Sequence, residues 1–523
     1  MSGTSLAIPP HLLTVYRGLA LLSKDRIQRL RAIAEHIASA SYDIVCLQEI
    51  WIYKDYEMVR EEIQHVLPFS RFFHTGALGS GLAIFTRFPL IGAQALPYSL
   101  SGTPAQVFAG DFFVKKAAGN VVILHPVLGE VEIWNTHMHA AGEHGPDTRQ
   151  SHRIAQSWQL ASAIRGGAAK GRYILVMGDF NSQPGSVPIA IMRDHANLQD
   201  SFLVAHPSAN TDLPHPPSSA EALIKYGTTC DSPLCTYSAG KPIPGNVLEH
   251  GGKRLDYIFY RQPAVARRRP LVWKYRDDAG STGAENGGSS LSGDAYIESG
   301  KPLQDSMAQA PKLRCISSEV ILTDRVPGHQ FSYSDHFALL STFVIEGPSQ
   351  QYQSHEPPSA TDSESHGPST ANSLEPLISQ NDPERIGSNL YAAGDPFKYP
   401  SDGNSLSHST SIPSTQKSTT IRTALNTLRL YTRISQNTAK RHLQICLLAL
   451  LALIGLTVGC AWQPKSWLQP IFTIVGALLG ATAATFLYTG FVWGRWEEGL
   501  LAEITEEMEL ELRVVEMEEN MNR

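Results

Sequence analysis

An acid and an amide follow a short apolar run at Gly178-Asp179-Phe180-Asn181. The apolar residues 174–177 and the turn formers after residue 181 predict a buried strand that ends at this point. Because Asp179 and Asn181 are two positions apart, both side chains are expected on one side of the pleat. A carboxylate and a carboxamide held there suit a hard cation, a phosphate group or a positioned water molecule. The alternative is an ordinary turn, since Gly, Asp, Asn and Pro are common turn formers.

Four other segments also place polar side chains at the ends of predicted strands, within 43–49, 131–139, 254–260 and 332–340. Taken alone, an Asp or His at such a place is more often part of a capped turn or a satisfied polar group. Five polar strand ends that meet at one rim are instead typical of a functional site. The acidic and basic side chains concerned are Glu49, His137, His139, Asp179, Arg254, Asp256, Asp335 and His336.

In their order along the chain, these segments resemble the endonuclease/exonuclease/phosphatase superfamily, whose fold is DNase I-like. The resemblance covers about residues 12–346 and implies an α+β fold, a four-layer DNase I-like β-sandwich flanked by helices. Within the superfamily the chain is most similar to the neutral sphingomyelinases of the fungal, inositol phosphosphingolipid phospholipase C type. The markers are Val45-Cys46-Leu47-Gln48-Glu49-Ile50-Trp51, Asn135-Thr136-His137-Met138-His139-Ala140, Thr229-Cys230-Asp231-Ser232-Pro233-Leu234 and Ser332-Tyr333-Ser334-Asp335-His336.

The resemblance implies a role for each polar side chain. Glu49 would bind Mg²⁺, for which Mn²⁺ is the alternative, and Asp335 would be a further acid at the metal and the base. His336 would be the general base, oriented by Asp256, and His137 would contact the phosphoryl group. The assignments left more open are Asp179 and Asn181 (phosphate, water or a second metal), His139 (substrate phosphate or a supporting position) and Arg254 (substrate phosphate or a carboxylate).

The predicted first strand departs from the family pattern. In the family this strand normally ends in an Asn that helps to hold the metal, whereas residues 12–19 read Leu-Leu-Thr-Val-Tyr-Arg-Gly-Leu. Either the metal site is incomplete or this N-terminal sequence is a mispredicted or spliced variant. A missing metal-supporting group typically costs about 10–100-fold in affinity or activity.

The composition argues against some partners and compartments. The net charge is −6, which disfavours a nucleic-acid partner. The six cysteines show no disulfide framework, and a reducing compartment explains them. The absence of an N-glycosylation sequon and of a signal-peptide pattern leads to the same expectation, a cytosolic catalytic domain.

Shifts in composition predict the domain organisation. The catalytic domain is expected at 1–346, with a flexible insertion at 276–312 that is rich in Gly and Ser. The C-terminal part is divided into a disordered linker at 347–420, a basic juxtamembrane segment at 421–442, transmembrane helices at 443–462 and 470–493, and an acidic helical tail at 497–523 that is solvated or self-associating.

The two apolar segments predict a transmembrane hairpin, because each is near the length that spans a bilayer and only a short link joins them. Basic residues precede the first span, so both flanks are expected in the cytosol, at the endoplasmic reticulum or the mitochondrial outer membrane. Residues 422–441 would either bind anionic phospholipid or act as ordinary stop-transfer charge.

The predicted function is that of a membrane-anchored, magnesium-dependent phospholipase C that cleaves sphingolipids in the bilayer. The alternatives are another phosphodiesterase or phosphatase of the same fold, namely a nuclease or an inositol-polyphosphate phosphatase, and a catalytically impaired membrane scaffold.

Overall fold

The computed structural model describes residues 7–8, 25–76, 79–104, 114–140, 147, 149–210, 218–237, 243–263, 310–347 and 414–521. The predicted first strand at 12–19 lies outside these residues, as do most of the predicted insertion and most of the predicted linker.

Strands and helices alternate without a strict repeat. The strands are β1 (Ala7–Ile8), β2 (Ile44–Leu47), β3 (Phe69–Phe73), β4 (Leu82–Thr86), β5 (Leu90–Pro97), β6 (Ala117–His125), β7 (Gly129–His137), β8 (Tyr173–Asp179), β9 (Gln199–Asp200), β10 (Asp256–Arg261), β11 (Lys312–Ile321) and β12 (Ala338–Glu346). The helices are α1 (Arg26–Ser39), α2 (Tyr53–Ile63), α3 (Gln150–Ala169), α4 (Val187–Asp194), α5 (Ser201–Ala205), α6 (Ser219–Tyr226), α7 (Gly245–Glu249), α8 (Ser414–Gly459), α9 (Gln469–Leu487) and α10 (Gly494–Met521).

The strands form a sandwich with helices on both outer faces. One six-stranded sheet has the order β5-β6-β7-β8-β10-β9, and two three-stranded sheets, β1-β12-β11 and β2-β4-β3, lie opposite it. Apolar side chains from the six-stranded sheet and from both smaller sheets meet in a shared interior core. Helices α1 and α2 pack on the β2-β4-β3 sheet, and α3 and α4 cover the outer face of the six-stranded sheet. The predicted four-layer α+β sandwich is therefore confirmed.

The C-terminal part is a long helical hairpin. Helix α8 begins at Ser414, inside the predicted linker, and runs without a break into the first apolar segment. The second apolar segment comprises α9 and a π-helical turn, Tyr488–Trp493, which leads directly into α10. Both apolar segments are long and apolar enough to cross a membrane, and few of their residues are buried.

The basic start of α8 and the acidic helix α10 pack on each other and on the sandwich. Leu425, Leu501 and Met508 join the buried core around Trp158 of α3. Glu511 of α10 lies 2.7 Å from Lys417 and 3.1 Å from Arg165 of α3. Burial raises the pKa of the Glu511 carboxyl, but the hydrogen bond and the charges of Lys417 and Arg165 outweigh it and lower the pKa to about 2.

This packing corrects the prediction of a solvated or self-associating tail. The apolar side chains of α10 recur every three to four residues, and this stripe packs against the domain. The acidic side chains on its other faces pair with the basic residues of α8, as in Arg422–Glu516 and Arg429–Glu509.

The two helical arms of the hairpin cross closely where the first apolar segment begins and the second ends. A Cβ atom added at Gly490 would lie 2.9 Å from the carbonyl oxygen of Ala439, and one added at Gly494 would lie 2.7 Å from the Ala439 Cβ. Small residues at this crossing therefore allow one backbone to approach the other.

Two backbones also approach closely inside the sandwich, at Gly178. Its φ is +134°, and an added Cβ would lie 2.0 Å from the carbonyl oxygen of Thr136 on the neighbouring strand. Only glycine fits here without moving β7 away from β8.

We expect Gly178→Ala to lower the free energy of unfolding by about 3 kcal/mol or more, since backbone strain and the clash with Thr136 add up. Gly171→Ala is the matched control, because Gly171 has φ +83° and open space around the added Cβ. It should cost only about 1 kcal/mol. Thermal unfolding of the full chain in detergent measures both, and equal losses would contradict the close approach at residue 178.

Candidate active site

Strand register brings three of the predicted residues to one rim of the six-stranded sheet. His137, at the end of β7, pairs with Asp179, at the end of the parallel strand β8. Asp179 also pairs with Asp256, the first residue of the antiparallel strand β10. The carboxyl end of β8 thus meets the start of β10, and the three side chains lie side by side.

The turn after β8 holds the carboxylate of Asp179 in place. The Asn181 backbone N–H donates to Asp179 Oδ1 at 2.7 Å, and its side-chain amide donates to Asp179 Oδ2 at 3.0 Å. The same amide donates to the Met138 carbonyl at 3.0 Å, which joins this turn to the end of β7. Asn181 has a φ of +47° and Glu49 a φ of +59°, a left-handed conformation that costs free energy in residues other than glycine. Such strain is concentrated at functional sites.

A histidine–carboxylate pair lies beside this turn. His336 Nδ1 is 2.8 Å from Asp256 Oδ2, and Asp256 is fully buried. Burial lowers the pKa of His336, but the neighbouring Cys230 and the Asp256 carboxylate outweigh it and hold the pKa well above its usual value. A proton on Nδ1 that is donated to Asp256 leaves the lone pair on Nε2, the arrangement a general base requires.

Two buried carboxylates approach each other in this cluster. Ligand atoms of Asp179, Asp256 and His336 all lie within 4.8 Å of one another. Burial raises the pKa of Asp179, the charge of His336 lowers it and the charge of Asp256 raises it, and together they bring the pKa to about 6. The buried Asp256 Oδ1 has no hydrogen-bond partner among the described residues. Oxygen ligands of this kind fit a hard divalent cation, which would compensate their charge.

His137 connects Glu49 to this cluster. Its Nε2 lies 3.7 Å from Glu49 Oε1 and 3.5 Å from Asp179 Oδ2. Neither Glu49 nor Asp335 belongs to the three-residue cluster, although both were predicted to lie at the metal. Asp335 accepts a hydrogen bond from the Ser334 hydroxyl at 3.1 Å, next to His336 in the chain.

Lys116 is a site residue that the sequence analysis missed. It is 3% exposed, and its Nζ lies 2.7 Å from His137 Nε2. It directly precedes β6, whose first residue, Ala117, pairs with His137. In the sequence, only a lysine before a run of small residues marks this position. Its contact with His137 depends on the β6–β7 register, which the sequence pattern does not show. A buried lysine at such a point requires a polar or anionic partner.

Arg254 and His139 lie away from the cluster. Arg254 is 1% exposed, is hydrogen-bonded to Asp200, and has its guanidinium 4.7 Å from the ring centres of Phe202 and Tyr257. The carboxylate alternative for Arg254 therefore fits the structure better than contact with a substrate phosphate. The ring of His139 packs against His152 of α3, with centroids 5.0 Å apart.

An amide bridge fixes Glu49 relative to this rim. Asn135 of β7 is fully buried, and its amide donates to the carbonyls of Leu47 and Ala83 at 2.9 Å. Its carbonyl oxygen accepts from Gln48 Nε2 at 2.5 Å. The bridge joins the six-stranded sheet to the β2-β4-β3 sheet directly beneath Glu49 and His137.

Comparison with known proteins agrees with this arrangement. The chain is 31% identical to an inositol phosphosphingolipids phospholipase C of Schizosaccharomyces pombe over 63% of this chain and 66% of that protein. It is 33% identical to a putative neutral sphingomyelinase of Caenorhabditis elegans over 46% of this chain and 54% of that protein. It is 28% identical to human sphingomyelin phosphodiesterase 2 over 47% of this chain and 53% of that protein. The matches thus span between about half and two thirds of these relatives. A sequence profile described as the endonuclease/exonuclease/phosphatase family matches residues 19–336. The chain belongs to the endonuclease/exonuclease/phosphatase family.

Proposed function

We propose that this chain is a magnesium-dependent phospholipase C that cleaves sphingolipids to ceramide and a phosphorylated headgroup. The observation that carries the proposal is the His336–Asp256 pair, 2.8 Å apart and beside the buried carboxylate of Asp179. This arrangement combines a general base with a cation site, as hydrolysis of a phosphodiester requires. The relatives named for sphingolipid cleavage support the choice of substrate.

In this proposal His336 Nε2 accepts a proton from the attacking water while the water oxygen bonds to phosphorus. The bond from phosphorus to the ceramide oxygen breaks, the ceramide alkoxide takes up a proton from solvent, and His336 then returns the proton that it accepted to solvent. Asp256 keeps the imidazole oriented and stabilises its charged form. The Lys116 ammonium and His137, 2.7 Å apart, would stabilise the negative charge that develops on the phosphoryl oxygens.

Asp179 and Asp256 would hold the cation, with Glu49 as the further carboxylate predicted from the family pattern. When bound, Mg²⁺ supplies positive charge next to the phosphoryl oxygens. Asn181 would keep Asp179 oriented toward it through the two hydrogen bonds between these residues.

We further propose that the helical hairpin spans a membrane, with the catalytic domain and α10 in the cytosol. Apolar side chains such as Leu448, Ile454 and Leu478 are 60–66% exposed on the hairpin, a surface that requires cover. Arg422 and Arg429 already pair with acidic residues of α10. The residues that would contact anionic phospholipid are therefore Arg433, Lys440 and Arg441, which are exposed near the first apolar segment.

A nuclease or phosphatase of the same family is the second candidate, because this fold hosts several chemistries. The net charge of −6 and the apolar hairpin disfavour a nucleic-acid substrate. An impaired scaffold would follow if residues 12–19, outside the described residues, fail to complete the metal site.

Purified full chain with Mg²⁺ is expected to release the phosphorylated headgroup from inositol phosphoceramide or sphingomyelin in mixed micelles, and to leave DNA intact. Product analysis by mass spectrometry distinguishes headgroup release from other cleavages. Turnover of DNA alone would replace the proposal with the nuclease, and inertness on every substrate would favour the scaffold.

His336→Ala should lower kcat on the preferred lipid by about 10²–10⁴-fold, because the general base is removed. His329→Ala is the matched control, since His329 is an exposed histidine of the same segment, and it should retain full activity. Steady-state rates of folded protein give the comparison. Equal activity of the two variants would contradict the role of His336.

Removal of divalent cations with EDTA should abolish lipid turnover, and Mg²⁺ or Mn²⁺ should restore it. Glu49→Gln should raise the Mg²⁺ concentration needed for half-maximal activity by about 10–100-fold, since a ligand charge is lost. The exposed Glu61→Gln is its control and should leave the titration unchanged. Activity that survives EDTA would refute the metal requirement.

A further inference from the structure

A buried carboxylate joins α8 and α10, the anchor helices, beside the catalytic domain. Glu497, at the start of α10, is 6% exposed and accepts hydrogen bonds from Tyr431 Oη at 2.8 Å and from Ser435 Oγ at 2.5 Å. Both hydroxyls belong to α8. Burying a carboxylate costs free energy unless donors compensate, so these hydrogen bonds fix the register of α8 against α10. We call Tyr431, Ser435 and Glu497 the helix lock.

The helix lock touches the catalytic domain through the ring of Tyr431. This ring lies against His152 of α3 with centroids 5.3 Å apart, and His152 packs against His139 at 5.0 Å. His152 is fully buried, and neither of its ring nitrogens has a hydrogen-bond partner among the described residues. Burial above all, with nearby positive charge, holds the pKa of His152 well below its usual value. The neutral ring of His152 therefore connects Tyr431 to His139 by packing, and not by charge.

Helix α3 holds the segment after β7 at two further points. The His139 backbone N–H donates to Gln156 Oε1 at 2.9 Å, and its carbonyl accepts from Arg153 Nη1 at 3.3 Å. The preceding residue, Met138, has its carbonyl bonded to Asn181. A displacement of α3 or of His139 would therefore be transmitted to His137 and to the turn that carries Asp179.

A second contact reaches the same rim from the same helix. The Lys115 ammonium lies 5.8 Å from the ring centre of Trp496, the residue before Glu497. Lys115 is followed by Lys116, whose ammonium contacts His137. This contact therefore connects the start of α10 to Lys116 and His137 of the rim.

We propose that Tyr431 and Glu497 are positioning residues, through which the anchor helices set the geometry of His137 and His139. The expected effect on kcat rests on the proposed function. If the anchor helices only kept the domain near a membrane, they would not affect a substrate that is free in solution or in micelles. The inference implies that they also contribute to the turnover of such a substrate. A misplacement of about 1 Å at a reacting group can cost about 100-fold in rate.

The test uses the full chain in detergent with a short-chain, micelle-soluble phosphodiester substrate. Tyr431→Ala removes the ring from His152 and should lower kcat about tenfold or more with little change in KM. Tyr431→Phe keeps that ring and should recover most of the rate. Arg429→Gln alters only an exposed ion pair of the same helix and should change kcat less than about twofold.

Hydrogen exchange supplies a measurement that does not depend on activity. Deuterium uptake by residues 135–140 should rise in Tyr431→Ala and in Glu497→Gln, and not in Arg429→Gln. If wild type cleaves no phosphodiester, the proposed function fails while the exchange result still decides the helix lock. Unchanged exchange, or unchanged kcat in folded Tyr431→Ala of an active enzyme, would overturn the inference.

Discussion

The side-chain amide of Asn135 is the interaction on which the site depends. It lies at the centre of the sandwich and bonds to the backbone of two strands in the opposite sheet and to Gln48. A buried amide with its hydrogen bonds made fixes one relative position of the two sheets, since any slip would leave polar atoms unpaired. Glu49 follows Gln48, and His137 lies two residues beyond Asn135. The hydrogen bonds of Asn135 in the core therefore fix the distance between Glu49 and His137.

Charge balance is the second constraint. The rim gathers carboxylates that burial makes costly to ionise, as the raised pKa of Asp179 records. Lys116 supplies positive charge from the protein, and a divalent cation would supply more. Without its ligands, such a site has an unfavourable electrostatic free energy. Binding of a cation and a phosphate group would lower that free energy.

The sequence was sufficient to predict the residues whose placement is local. Asp179 and Asn181 lie at a strand end because an apolar run meets turn formers, and both were expected on one side of the strand. The partners of Lys116 and Arg254 could not be predicted, because they depend on strand register and on Asp200, far away in the chain. The docking of α10 was missed for a similar reason: its acidic composition suggested solvent, whereas its apolar stripe required a surface that only the folded domain provides.

The close crossing at Ala439, Gly490 and Gly494 has a mechanical consequence. The two backbones nearly touch at this point, and each helix continues as a stiff rod on both sides of it. A side chain at Gly490 or Gly494 would force the two helices apart at this point. Because the same helices continue into the arms that pack on α3, the spacing set at the crossing is also the spacing with which those arms reach the domain.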